Sequence, residues 1–336
     1  MNLYSKIDIP PSPVHVSYGD AMMSIGSCFA ENIGNMLFEH KFTIDLNPFG
    51  VLYNPKSIAC AIRRLLQPAE QTSGLFFHEG LFHSFAHHGS FSGVSEADCL
   101  RKINERLFTS ASNLLNIKQL FITFGTSWFF RLREDGRVVA NCHKLPDKMF
   151  ERERLTVKSI IDEWEELLSA LWTSNSGVKV VFSVSPVRHW KDGAHGNTLS
   201  KSILLLAVDA LQAHYPGQVF YFPAYELVMD ELRDYRFYAE DLFHPSPTAV
   251  RYLFERFVDT FMDATTRTLL AEVYEIKRAL AHRPFHSESD SYTHFMAQTL
   301  LKIEQLHAKM PYICFGNETE EIKFSLQRKA DEDKLL

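Results

Sequence analysis

The strongest constraint on this chain is a repeated alternation. Short apolar runs of strand length, each ending at a glycine or proline, are separated by longer segments with helical spacing. Residues 21–25 (AMMSI) stop at Gly26, and 28–40 then place Phe29, Ile33, Met36 and Leu37 on one side of a helix. Residues 42–46 are broken by Asn47-Pro48, and Asn54-Pro55 opens the next helix as cap and first-turn proline, with Ile58, Ile62, Leu65 and Leu66 as its apolar stripe. Residues 118–124 end at Gly125, 179–184 at Ser185-Pro186, and 218–222 form a fifth run. Helices are expected over 95–115, 156–174, 199–214 and 246–262. Parallel strands need helical crossovers, so the pattern predicts an α/β fold: a doubly wound α/β/α three-layer sandwich of about five parallel strands.

Two segments depart from the alternation. Residues 75–94 are rich in Phe, His, Gly and Ser and read as an irregular hairpin excursion, and Asp135-Gly136, between 128–132 and 137–141, is a hairpin turn. Beyond about residue 265 the pattern is purely helical, over 266–281 and 292–309, with the last residues from Lys329 frayed. The expected organisation is a catalytic domain over 1–265 and a C-terminal helical extension over 266–336.

Composition narrows the function classes. A net charge of -6 without Lys/Arg blocks argues against nucleic acid as a partner. The first 20 residues have no apolar core of a signal peptide, and no stretch approaches the roughly 20 apolar residues of a membrane span. Five cysteines (28, 60, 99, 142 and 314), an odd number without a CxxC pair, suggest reduced thiols in a cytoplasmic protein. His78, His83, His87 and His88 show no metal-ligand spacing, so neither metal nor cofactor is expected.

In doubly wound sheets the ligand lies at the carboxyl ends of the strands. Ser27, directly after a strand and a glycine and before a helix, is the candidate nucleophile there, although Ser is also among the best helix caps. Asp241 and His244, three residues apart just before the last core helix, form a second constellation: a turn brings a carboxylate beside an imidazole, and Pro245 and Pro247 stiffen it. Cys28 is a remoter candidate, expected instead to point into the helix packing. Arg188 and His189 end the fourth strand, poised either for an anionic group on a substrate or for a salt bridge to Asp234 or Glu240.

The run Gly26-Ser27-Cys28-Phe29-Ala30 resembles the signature of the GSCFA family, a branch of the SGNH/GDSL-like hydrolases. Asn47-Pro48-Phe49-Gly50, Gly125-Thr126-Ser127-Trp128, Asn141-Cys142-His143-Lys144, Ser185-Pro186-Val187-Arg188-His189 and the stretch 234–240 are similar to that family too, over roughly 20–255. The resemblance implies an SGNH hydrolase-like fold with flavodoxin-like strand order and an esterase or acyltransferase acting through an acyl-Ser27 intermediate. Its substrate would be a small-molecule acyl ester or acylated carbohydrate. His244 would be the base and Asp241 its orienting carboxylate. The N–H groups of Ser27 and Gly50 would form the oxyanion hole. Where SGNH enzymes offer an Asn, Ser127 stands, so Thr126, Ser127, Asn141 or Asn197 would have to replace it. Asn47, Gly125, Asn141, His143, Arg188, His189 and Tyr238 are expected to contact substrate. A weakly active or inactive module that binds an acylated sugar or a protein partner is the alternative.

Overall fold

The computed structural model describes residues 5–286 and 289–333. The chain forms two compact units. The first comprises the stretch through Val14, Ala21–Asn35 and Ile44–Phe261; the second takes His15–Asp20, Met36–Thr43 and the chain from Met262 onward. The C-terminal unit therefore also draws in two short segments that the sequence pattern places with the first domain.

The first unit is built on a five-stranded parallel sheet of β1 (Ala21–Gly26), β2 (Thr43–Leu46), β3 (Gln119–Phe124), β4 (Lys179–Val184) and β5 (Val219–Tyr221). Across the sheet they run β5-β4-β3-β1-β2, the flavodoxin-like order, with the direction of winding reversing at β1 and β3. Both faces of β3 are buried, as its unbroken apolar run requires. Side chains of successive strand residues point to opposite faces. Leu120, Ile122 and Phe124 join one core with Trp164 of α4 (Val157–Ser174), the Phe124 and Trp164 rings 5.0 Å apart. Phe121 faces the other way, against Phe257 and Phe261 of α6 (Pro247–Phe261) at 5.2 and 5.9 Å. Two helical layers thus enclose the sheet.

Helix starts follow their caps. Asn54 accepts the Ser57 N–H at the head of α2 (Pro55–Leu66), Ser95 does the same for Asp98 before α3 (Glu96–Leu114), and Thr156 with Ser159 forms a reciprocal capping box on α4. The helix expected from residue 199, α5 (Gly193–His214), begins six residues earlier, through a Gly-Ala-His-Gly-Asn-Thr stretch with no apolar periodicity to announce it. The excursion after α2 contains a regular hairpin, Leu75–His78 with Leu81–Ser84, whose turn residues Glu79 and Gly80 both have positive φ (46° and 81°). Asp135-Gly136 turns a three-stranded antiparallel ribbon of Trp128–Leu132, Val138–Val139 and Phe150–Arg154.

The second unit holds α7 (Ala264–Leu280), α8 (Asp290–Lys309) and α9 (Gly316–Asp333). Val273, Ile276, Ile303, Leu306, Ile313, Phe315 and Ile322 are buried in it, Tyr18 stacks on Phe42 at 4.0 Å, and Lys41 pairs with Glu318. Where the sequence suggests fraying from Lys329, α9 continues to Asp333; the remainder of that stretch lies outside the described residues. No helix among the described residues is long and apolar enough to cross a membrane.

Gly26 closes β1 where the sheet leaves no room for a side chain. Opposite Thr123 in the parallel register, a Cβ there would lie 2.5 Å from the Thr123 carbonyl oxygen, a backbone atom that cannot move aside. Gly26→Ala should lower stability by about 1–3 kcal/mol through overpacking, measured as a fall in the urea unfolding midpoint.

Candidate functional site

The site grows from the loops that leave the strand ends. Beyond Gly26, the chain turns directly into α1 (Cys28–Glu39). The Ser27 carbonyl accepts the first helical bond, from Glu31 N–H at 3.1 Å, so Ser27 holds the N-cap position and Cys28 the first helical one. The loop after β2 is laced to the same point: Asn47 N–H donates to Ser24 O (2.8 Å), Gly26 N–H donates to the Asn47 side-chain oxygen (2.9 Å), and Leu52 N–H donates to Gly26 O (2.9 Å).

Asp241 and His244 arrive from a tight loop before α6. One Asp241 oxygen accepts the N–H groups of Phe243 (2.9 Å) and His244 (3.0 Å), which curls the turn, and Leu242 takes a left-handed φ of 62° to complete it. The other oxygen lies 2.6 Å from His244 Nδ1. Hydrogen bonds from the two backbone amides and then from the imidazole hold the Asp241 carboxyl down at about 2, so it stays ionised at any working pH. With Nδ1 engaged, Nε2 is the outward nitrogen, and it lies 3.7 Å from Cys28 Sγ.

His244 therefore meets Cys28, not Ser27. Ser27 is 1% exposed, and its hydroxyl has no hydrogen-bond partner, neither His244 nor a helix-start amide. Cys28, expected to point into the helix packing, instead lines a cavity of about 410 Å³ together with Ser27, Tyr53, Asn54, Arg188, His189 and His244. The physical reason is helical phase: neighbouring positions at a helix start point about 100° apart, and it is the first helical position, not the cap, that comes within reach of His244. Burial pushes the Cys28 thiol up, opposed by its own backbone N–H, by the Tyr53 hydroxyl and by the charge of Lys201.

Lys201 places its amine in the core. It is 1% exposed and donates to Gly125 O and Ser185 O, both at 2.6 Å, tying together the ends of β3 and β4. Burial, reinforced by Arg188, lowers its ammonium to about 7. His189 is likewise brought down, to about 4, first by burial and then by Lys201, so its ring on the cavity wall is neutral.

Residues 21–257 match the family model described as the GSCFA family, and 273–328 match that of the GSCFA domain protein, C-terminal domain. The chain belongs to the GSCFA family. No curated protein matches it. Among solved structures it is similar to a Streptococcus pneumonia protein described as a platelet activating factor (14% identity, 73% of this chain and 86% of that one, TM-score 0.36). It is also similar to a family 3 carbohydrate esterase from Clostridium thermocellum (11%, 78% and 99%, TM-score 0.34). A third is the acetyl xylan esterase Est2A from Butyrivibrio proteoclasticus (13%, 74% and 64%, TM-score 0.36). Likeness at this level carries no functional weight.

Several residues of the GSCFA stretches prove to be scaffolding. Gly50 N–H, expected in the oxyanion hole, donates to Asn47 O at 2.8 Å, and Gly50 (φ 75°) packs so close to His88 that a Cβ would lie 2.2 Å from that side chain. Ser127 is fully buried, its N–H and hydroxyl both bonded to Ser200 Oγ at 2.8 and 3.0 Å. Thr126 does line the cavity, but its hydroxyl lies 3.1 Å from Ser200 Oγ and its N–H donates to Tyr53 O. Asn197 accepts His189 N–H (3.0 Å) from inside the core. Asn47 and Gly125 are tied into the strand-end loops, and neither lines the cavity. Asn141 and His143 also lie off it: Asn141 accepts the His143 N–H, and the His143 ring bonds Ser84 O. Arg188 and His189 do line it, while Tyr238 lines a neighbouring cavity. Among the described residues, no group of three His, Cys, Asp or Glu side chains is gathered as a metal site.

One donor escapes the sequence pattern because its role as a cap hides it. Asn54 lines the cavity with its side-chain oxygen engaged by Ser57 N–H at 2.8 Å, so the amide N–H₂ is what it has to offer a ligand.

Because its pKa is raised, the resting Cys28 thiol is protonated at neutral pH. Iodoacetamide alkylation of Cys28, followed by peptide mass spectrometry, should accelerate steadily with rising pH through and beyond neutrality. A plateau already reached below pH 7, the mark of a preformed thiolate–imidazolium pair, would contradict this.

Proposed function

We propose that the protein is an acyl-transfer enzyme, an ester hydrolase or acyltransferase on small O-acyl esters, with Cys28 as nucleophile, His244 as general base and Asp241 as its orienting carboxylate. The supporting observation is the 3.7 Å approach of His244 Nε2 to Cys28 Sγ beside a buried, unpartnered Ser27 hydroxyl. It replaces the acyl-Ser27 route that the family resemblance implies.

The chemistry follows from the arrangement. His244 Nε2 takes the thiol proton as sulfur attacks the acyl carbon, and the imidazolium formed is stabilised by ionised Asp241. The tetrahedral oxyanion would be met by N–H groups of the first α1 turn, which have no intrahelical acceptor, and by the Asn54 amide, which lines the same cavity. Collapse breaks the C–O bond, His244 protonates the departing alkoxide, and the acyl group remains as a thioester on Cys28. Water or an alcohol, deprotonated by His244, then attacks the thioester, and the thiolate recovers its proton. A cavity of about 410 Å³ suits a small substrate.

Kinetics on 4-nitrophenyl acetate should separate the two candidate nucleophiles. Cys28→Ala abolishes turnover, Asp241→Asn lowers kcat by about 10²–10⁴, and Ser27→Ala stays within about tenfold of wild type. Full activity in Cys28→Ala together with loss in Ser27→Ala would restore the serine reading. Inactivity of the folded wild type on every ester would favour a binding module.

A further inference from the structure

Arg188 stands out on the walls of the site because nothing neutralises it. It leaves the end of β4 through Pro186-Val187 and is half-buried. Neighbouring arginines are paired: Arg152 with Asp192, Arg233 with Asp230 at 2.8 Å, and Arg236 with Asp234 at 3.0 Å. Arg188 has no carboxylate partner among the described residues, and neither Asp234 nor Glu240 serves it. Among the described residues its guanidinium donates to one acceptor, the Met229 sulfur at 3.5 Å. Five N–H donors facing one weak thioether acceptor leave most of their hydrogen-bonding capacity for a ligand.

Position gives that capacity a direction. Arg188 lines both the cavity that holds Cys28 and His244 and an adjoining cavity of about 550 Å³; Trp190 is shared by the two as well. Trp190 is half exposed and stacks on Phe243 at 5.5 Å, so an aromatic face, like the guanidinium, is common to both cavities. The charged groups around it are the buried Lys201, whose ammonium pKa Arg188 helps to lower, Lys191, Arg152 and Arg233 on the cavity walls, and the carboxylates Asp192 and Asp234. Asp234 is paired with Arg236, and Asp192 is paired with Arg152 through one oxygen, while its other oxygen has no partner among the described residues. A half-buried guanidinium with no carboxylate partner is costly unless an incoming anion offsets it. A planar fork of donors suits a bidentate oxyanion.

We propose that Arg188 is an anion-binding subsite, and that the acyl ester this enzyme takes carries an oxyanion, a carboxylate or a phosphate, within reach of the scissile bond. This rests on the acyl-transfer reading for its catalytic half, while anion binding is a property of the cavity alone.

The test uses the full-length protein in two arms. In the first, kcat/KM is compared for 4-nitrophenyl acetate, 4-acetoxybenzoate, 4-acetoxyphenyl phosphate and mono-4-nitrophenyl succinate, which place no charge, a leaving-group carboxylate, a leaving-group phosphate or an acyl-side carboxylate beside the ester. Wild type should prefer at least one charged ester, relative to its own non-enzymatic hydrolysis, by about tenfold or more. Arg188→Met should remove that preference, and Arg188→Lys should restore it in part. The preferred ester identifies the oxyanion and the side of the ester that carries it. In the second arm, catalytically silent Cys28→Ala is titrated calorimetrically with 4-hydroxybenzoate, phenyl phosphate and succinate, with and without Arg188→Met. Binding that disappears with the arginine supports the subsite even if no ester is turned over, an outcome that would sink only the acyl-transfer reading. No charge preference in a wild type that turns over esters, no anion binding in Cys28→Ala, or a preference and binding that persist in folded Arg188→Met, would overturn the proposal.

Discussion

The Asp241 carboxylate is the contact on which the site depends. One oxygen folds the loop by accepting two backbone amides, and the other fixes Nδ1 of His244, so a single side chain builds the turn and aims the imidazole it carries. The resulting direction of Nε2, toward Cys28, joins residues more than two hundred positions apart in sequence. Because these hydrogen bonds keep the carboxylate ionised to about pH 2, the orientation survives across any physiological range. The positive φ at Leu242 is the local strain that the arrangement tolerates.

Around this contact, most polar groups at the strand ends hold loops in place. Lys201 clasps the carbonyls that close β3 and β4, Ser200 gathers Thr126 and Ser127, and Asn47 fastens the loop after β2 to the end of β1. Hydrogen-bonding atoms already engaged in holding loops are poorly placed to bind substrate as well. The groups lining the cavity with capacity left are few: the Ser27 hydroxyl, the Cys28 thiol, the Asn54 amide and the Arg188 guanidinium. A family signature can therefore mark a scaffold as readily as a reacting group, and Gly50 and Ser127 are instances of the former.

Much of the fold was legible because its causes are local. The five apolar runs became the five sheet strands, the Asn54 cap opened its helix, and the Asp241–His244 spacing folded as one turn. The glycine-rich start of α5 and the largely polar α9 were not legible, since neither has an apolar stripe to set its period. The choice between Ser27 and Cys28 was also beyond the sequence. Both sit at the mouth of α1 and both line the cavity, and which of them meets the His244 imidazole depends on where the first helical bond forms, a single-residue matter that residue types do not encode. Asn54 was recognised as a cap, which correctly describes its oxygen and conceals its nitrogen.

The most direct test asks which atom carries the acyl group. Wild-type protein mixed briefly with an activated acetyl ester, quenched in acid, digested and mapped by tandem mass spectrometry should bear its acetyl group on Cys28, as a thioester that neutral hydroxylamine cleaves readily. An adduct on Ser27, stable to that treatment and dependent on His244, would contradict the assignment of the thiol as nucleophile.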